Sequence, residues 1–358
     1  MVRLMLRSIY WNKGKIIIID QTKLPSKLVF RTLSNINEVA EAIKNMRVRG
    51  APLIGVTAAL SLAQVAYRYR SDPRDTLIEK LEKAAQIIMN TRPTAVNLFN
   101  AVNKILDAAY NSSNPATTVI NEAIKMMEDD IKMNKKIAEY GSELIDDGDI
   151  ILTHCNTGSL ATVSIGTALG IIIKAFKEGK KITVFATETR PNLQGARLTM
   201  LELMLEGIPS YLIPDTAVGF TMIKKKVSKV FVGADRILLD GTVYNKIGTY
   251  QIAILAKYHK ISFYVAAPST TFDPRHTKKD IVIEERPATE IVYINSKELI
   301  APPNCKVYNP AFDETPPQYI DGIITEKGII LPPLKENIIN HLTSKRDIRL
   351  NSPYLKLI

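Results

Sequence analysis

Cysteine is almost missing from this chain. Two thiols among 358 residues, Cys155 and Cys305, exclude a disulfide framework. No C-x-x-C pair occurs, and the four histidines, His154, His259, His276 and His341, have no zinc-site spacing, so no metal is expected. No apolar run approaches the ~18 residues of a membrane helix. The opening MVRLMLRSIYWNKGK is too polar for a secretory leader, and the expected compartment is a reducing cytoplasm. A P-loop and a G-x-G-x-x-G fingerprint are also missing, which argues against a nucleoside triphosphate or dinucleotide cofactor.

What is present is ordinary globular material, 46% hydrophobic and 23% charged, with a formal charge of +11 from 47 Lys+Arg against 36 Asp+Glu. A basic balance favours anionic ligands. The lysines are dispersed, however, and the longest basic run is Lys224-Lys225-Lys226. That pattern suits a solvated face rather than a nucleic-acid footprint, so neither nucleic acid nor membrane is expected as a partner.

The apolar period changes along the chain. SIYW and KIIIIDQ, joined by NKG, read as a hairpin. From about residue 30 to 145 the spacing is mostly helical, with RVRGAPLIG (47–55) and Arg92-Pro93 as interruptions and a long helical pattern over 116–145. Then short apolar runs, DIILTHC, KITVFAT, IPSYLIP, KVFVGAD and ISFYVAA, alternate with helical segments such as LATVSIGTALGIIIKAFKEG. Alternation of this kind predicts an α/β fold with a mainly parallel sheet covered on both faces. The expected division is a hairpin-plus-helical domain over 1–125 and an α/β domain over 126–358.

Ligands bind such sheets at the carboxyl ends of the strands. Four polar motifs stand there: THCNTGSLAT (153–162), TETRPNLQGARL (187–198), VGADRILLDGTVYNKIGT (232–249) and APSTTFD (267–273). A lone cysteine at a strand end is most often a small apolar filler. Here Asn156, Thr157 and Gly158 offer a turn, and a helix expected near Ser159 or Leu160 would stabilise a thiolate, so Cys155 is a candidate reactive thiol. His154, on the opposite face, reads as structural, and Cys305 sits in a Pro-rich loop. Asp235 ends an apolar run, which suits a proton-transfer carboxyl as well as a turn residue. Asn245 and Lys246 lie in a Gly-flanked turn where they are placed to hold a sugar hydroxyl and a phosphate, with Gly248 and Thr249 opening the next helix. Gln194 stands at another expected helix start, and either bonds a hydroxyl or substitutes for a cap. Arg49 and Arg92 interrupt helices and suit phosphate, and Gly50 permits close backbone approach.

The segments RGAPLIG, THCNTGSLATV, ETRPNLQGARLTMLEL, GADRI, NKIGTYQIAILAKYH and YNPAFDETPP resemble the methylthioribose-1-phosphate isomerases, relatives of the alpha-type regulatory subunits of the translation initiation exchange factor. The resemblance runs from about residue 8 to about residue 330. It implies an N-terminal hairpin and helical domain followed by a Rossmann-like domain with a doubly wound sheet. It further implies an aldose–ketose isomerase of methionine salvage, acting on 5-methylthioribose-1-phosphate without metal or other cofactor, and a homodimer. On this resemblance Cys155 and Asp235 are catalytic, and Arg49, Gly50, Ala51, Arg92, Gln194, Asn245 and Lys246 bind substrate. Leu53, Val218 and Phe220 depart from the usual pattern. An isomerase of ribose 1,5-bisphosphate and a non-catalytic translation-factor subunit are the alternatives.

Overall fold

The computed structural model describes residues 6–92, 95–294 and 298–343. The chain divides into two compact units. The first gathers the described residues of Met1–Lys135 together with Thr157–Gly166, and the second gathers Lys136–Asn156 with the described residues from Thr167 onward.

In the first unit β1 (Ile9–Asn12) and β2 (Lys15–Ile19) form the expected hairpin, turning at Lys13 and Gly14 with φ of 46° and 82°. A third strand, β3 (Phe30–Leu33), pairs antiparallel with β2 and carries no strong sequence pattern. Helices α1 (Ile36–Lys44), α2 (Ala51–Arg68), α3 (Arg74–Met89) and α4 (Val96–Tyr110) follow, with α5 (Pro115–Ser142), whose residues up to Lys135 belong to this unit and the rest to the second. Asn35 starts α1 by accepting the Glu38 N–H at 3.0 Å. The α2 segment is rich in Ala and Leu on every side, and nearly all of it is buried, which makes it the axis of this unit's core.

The second unit continues with β4 (Ile150–Thr153), α6 (Ala168–Lys177), β5 (Thr183–Thr187), α7 (Met200–Glu206), β6 (Ser210–Ile213), α8 (Val218–Lys224) and β7 (Lys229–Val232). A hairpin of β8 (Arg236–Leu238) and β9 (Val243–Lys246) precedes α9 (Thr249–Tyr258) and β10 (Ser262–Ala266). The remainder is β11 (Phe272–Asp273), α10 (Thr289–Val292), β12 (Tyr293–Ile294), β13 (Glu298–Leu299), β14 (Phe312–Thr315), β15 (Gly322–Thr325), β16 (Gly328–Ile330) and α11 (Leu334–Thr343).

The main sheet has the order β16-β15-β10-β7-β4-β5-β6 and is parallel except for the β16 edge. From β4 the chain steps outward through β5 and β6, then returns to β7 on the other side and steps out through β10 and β15. This is a doubly wound, Rossmann-like sheet whose switch point lies between β4 and β7. Its strands are apolar on both faces because each face packs on its own layer. Ile151, Val184 and Phe231 join α6 residues such as Leu169 and Ile172, whereas Leu152, Phe185 and Val230 join Met222 of α8, Ile252 of α9 and Ile338 of α11.

One expected element is absent where the sequence placed it. No α-helix begins at Ser159 or Leu160; those residues form a single 3-10 turn, Ser159–Ala161, and α6 starts only at Ala168. The intervening loop bridges Gly158 to Gly166, where Gly166 takes φ 91°. The Val163 N–H of this loop is satisfied by the Asp130 carboxylate at 2.8 Å. Cys155 therefore does not sit at a helix N-terminus, and the dipole reading of its reactivity is corrected.

Candidate active site

Thr153, the last residue of β4, is the Cα partner of Phe231 in β7. Neighbouring strands lie about 4.8 Å apart. Cys155 follows β4 by two residues and Asp235 follows β7 by three, so the structure brings both to the switch point of the sheet.

Cys155 is 9% exposed and takes φ 61°, a left-handed conformation that costs a non-glycine residue about 1–2 kcal/mol. Two threonines hold it there. Its N–H donates to Thr189 Oγ1 at 2.9 Å, and its carbonyl accepts from Thr199 Oγ1 at 2.5 Å. Asn156 donates to the same Thr199 hydroxyl at 3.2 Å and to Glu202 Oε1 at 2.8 Å. Thr199 closes a short π-helical turn, Gly195–Thr199, that leads into α7. That turn needs glycine at its start, because a Cβ on Gly195 would fall on the Thr187 carbonyl oxygen. Gln194 precedes it, 5% exposed, with Oε1 buried and lacking a hydrogen-bond partner among the described residues. A ligand hydroxyl or amine would satisfy that oxygen.

The loop after β5 is pinned by Asp215, which accepts the N–H groups of Thr189 and Arg190 at 2.8 and 2.7 Å. His154 is fully buried and bonds on both ring nitrogens, to Thr187 Oγ1 at 2.7 Å and to the Ile247 carbonyl at 2.9 Å. Burial holds its pKa down to about 4, so the ring is neutral at neutral pH.

Asp235 is half-buried, and its N–H donates to the Tyr244 carbonyl at 2.9 Å. Arg236 is the Cα partner of Tyr244, so Asp235 lies at the end of the hairpin pairing, next to the strand that carries Asn245. Asn245 is 4% exposed and bonds Thr249 Oγ1 at 3.0 Å. Lys246 donates to the Ala311 carbonyl at 2.8 Å, with its ammonium 4.8 Å from the centre of the Phe312 ring. Asp313 accepts from Gly248 and Tyr250 N–H at 2.7 and 3.1 Å and so caps α9; burial pushes its pKa up to about 6. Asn245 and Lys246, expected in a turn, are instead the last two residues of β9, where β14 pairs with them.

The remaining expected residues lie in the first unit. Arg49, 8% exposed, donates through Nε to Gln21 Oε1 at 3.1 Å, and Gln21 donates to the Leu160 carbonyl at 2.7 Å. Gly50 takes φ 97°, and a Cβ there would lie 2.5 Å from the Ala161 carbonyl oxygen. Ala51 opens α2, whose first turn carries amides without intrahelical partners. Arg92 lies in the turn after α3 with its Nε buried; Pro93 beside it is outside the described residues. Of the pattern departures, Leu53 and Val218 are core residues, whereas Phe220 is 68% exposed on α8, so that change falls on the surface.

Residues 47–332 match the pattern of the initiation factor 2 subunit family. The chain belongs to that family. Within it, the chain is 49% identical over 337 residues to the methylthioribose-1-phosphate isomerase of Carboxydothermus hydrogenoformans, covering 92% of this chain and 97% of that one. The crystal structure of 5-methylthioribose 1-phosphate isomerase from Pyrococcus horikoshii superposes with a TM-score of 0.85 at 41% identity, over 94% of this chain and 95% of that one. The crystal structure described as translation initiation factor eIF-2B, subunit delta, from Archaeoglobus fulgidus gives 0.83 at 49% identity, over 94% and 99%. Among the described residues no helix is long and apolar enough to cross a membrane.

Thr187, Thr189, Thr199, Asp215 and Asp313 do not stand out in the sequence as site residues. Thr187 and Thr189 alternate at a strand end and so share one side of it, which is the one signal that was readable. The others come from segments remote in the chain, and their roles depend on backbone groups that only the fold brings to them.

Proposed function

We propose that this protein is an aldose–ketose isomerase converting 5-methylthioribose-1-phosphate to 5-methylthioribulose-1-phosphate, the step the related isomerases serve in methionine salvage. The observation that carries the reading is the arrival of Cys155 and Asp235 at the ends of adjacent strands, at the switch point of the sheet.

The phosphate on the anomeric oxygen blocks ordinary opening of the sugar to a free aldehyde. Cys155 as thiolate takes the proton from C2 while the ring C–O bond at C1 breaks, and Asp235 donates a proton to the departing ring oxygen. The C1–C2 enol that results collapses when the Cys155 thiol returns its proton to C1 and the C2 hydroxyl gives its proton back to Asp235. Both groups end as they began, and the ketone is at C2. Gln194 and Asn245 bond sugar hydroxyls. Lys246 holds the phosphate, and the resemblance assigns Arg49, Gly50, Ala51 and Arg92 to substrate binding as well.

The test is formation of ketose by the purified protein, with methylthioribose-1-phosphate and ribose 1,5-bisphosphate compared directly. Turnover of the first, at least ~10²-fold reduced in C155A, is the expected result; turnover of the second alone would move the assignment. The subunit description of the Archaeoglobus structure favours a second reading, a regulatory translation-factor subunit, which absence of any isomerase activity would support. A homodimer fits the exposed Met204, Leu205, Tyr211 and Leu212 on α7 and β6. The apolar residues of α6, such as Leu169, Ile171 and Ile172, are core and contribute nothing to such a surface. A cytoplasmic setting suits a reduced Cys155.

A further inference from the structure

Between the Cys155 turn and the turn at Ile247 and Gly248, directly after β9, runs one continuous series of hydrogen bonds, and His154 is its middle. The Cys155 N–H donates to Thr189 Oγ1 at 2.9 Å; Thr189 and Thr187 hydroxyls lie 3.2 Å apart; Thr187 Oγ1 is 2.7 Å from His154 Nδ1; and His154 Nε2 is 2.9 Å from the Ile247 carbonyl. The direction is set at one end. A carbonyl only accepts, so Nε2 carries the proton, Nδ1 accepts from Thr187, and the neutral ring matches its surroundings on both sides. Gly248, at φ 105°, lets the backbone lie flat on this ring, since a Cβ there would come 3.0 Å from His154 Cε1. His154, Thr187 and Thr189 are all buried at 1% exposure or less, so the series runs through the interior of the second unit.

We propose that His154 is a positioning residue that sets Cys155 through its Nδ1 side and, through its Nε2 side, the end of β9 that carries Asn245 and Lys246. The proposal rests on the isomerase reading for its kinetic consequences, but not for its geometry. The two sides can be separated. A glutamine amide reaches the place of Nε2 and keeps the Ile247 bond; an asparagine amide reaches the place of Nδ1 and keeps the Thr187 bond.

The experiment compares H154Q, H154N and T187V in the full chain, each checked for unfolding midpoint. It reads kcat and KM for methylthioribose-1-phosphate and the rate at which iodoacetamide labels Cys155, followed by peptide mass. H154Q should lower kcat about tenfold and alter the labelling rate while KM stays near that of the unmodified protein. H154N should raise KM about tenfold and leave labelling unchanged. T187V cuts the series on the cysteine side without touching the histidine, and should behave as H154Q does. Equal losses in kcat and KM for all three variants, or labelling that none of them changes, would overturn the proposal. Absence of ketose from the unmodified protein would instead sink the isomerase reading, and the labelling series would still decide this one.

Discussion

The Thr199 hydroxyl donates to the carbonyl oxygen of Cys155 at 2.5 Å, closing the backbone of a residue held at φ 61°. The same hydroxyl receives Asn156 Nδ2. Replacing Thr199 with Val, an isostere without the hydroxyl, leaves a buried carbonyl unpaired. The expected cost is about 1–3 kcal/mol in urea unfolding, with kcat falling more than KM changes. Unfolding at the midpoint of the unmodified protein and unchanged kcat would show that the bond has no positioning role.

Gly50→Ala should destabilise the protein by at least about 2 kcal/mol, because φ 97° disfavours any side chain and the new Cβ would press on the Ala161 carbonyl. The measurement is thermal unfolding. The first unit's loop at Thr157–Gly166 is the part that must move, so amide exchange there should rise in the variant.

His154 makes stability fall on acidification. Its native pKa is held to about 4 against an ordinary 6.5, so between these values the unfolded chain binds a proton that the native chain refuses. Its contribution is complete above pH 6.5 and is lost as pH falls towards 4, about 3 kcal/mol over the window. Urea midpoints from pH 7 to 4 should therefore decline more steeply in the unmodified protein than in H154Q. Parallel curves would show that the ring is protonated in the native state.

Asp130 acts with the opposite sign. Burial pushes its pKa up to about 6 from 3.8, so the native chain holds the proton that the unfolded chain releases, and stability falls as pH rises through this window. In Asp130→Asn the side-chain amide oxygen would accept the Val163 N–H in the same way without the buried charge. At pH 7.5, D130N is expected to be more stable than the unmodified protein by up to about 3 kcal/mol, with the difference vanishing near pH 4. Equal stability at both pH values would refute the assignment.

Much of this protein was legible before the fold. Alternating apolar strands and amphipathic helices announce a sheet covered on both faces, since side chains such as Ile151 and Leu152 must each meet a separate layer. Cys155 and Asp235 stand out because polar residues directly after wholly apolar strands have few purely structural uses; Asn245 and Lys246 stand out through the glycines near them, although they end β9 rather than lie in a turn. The helix expected after Gly158 failed for a physical reason. Helical periodicity over 160–176 records burial, and Thr157–Gly166 gain theirs as a loop grouped with the first unit rather than as a helix on the sheet.

By itself the amino-acid order determined the sheet, its layers and the chemical identity of the groups at its carboxyl edge, because periodicity and residue type are local properties. Only the tertiary structure decided which of those groups work together. The left-handed turn at Cys155, the neutral ring of His154 and the clamp of Asp313 on α9 each depend on backbone carbonyls and amides contributed by remote segments, and every residue carries those groups, so no sequence pattern marks which of them will meet.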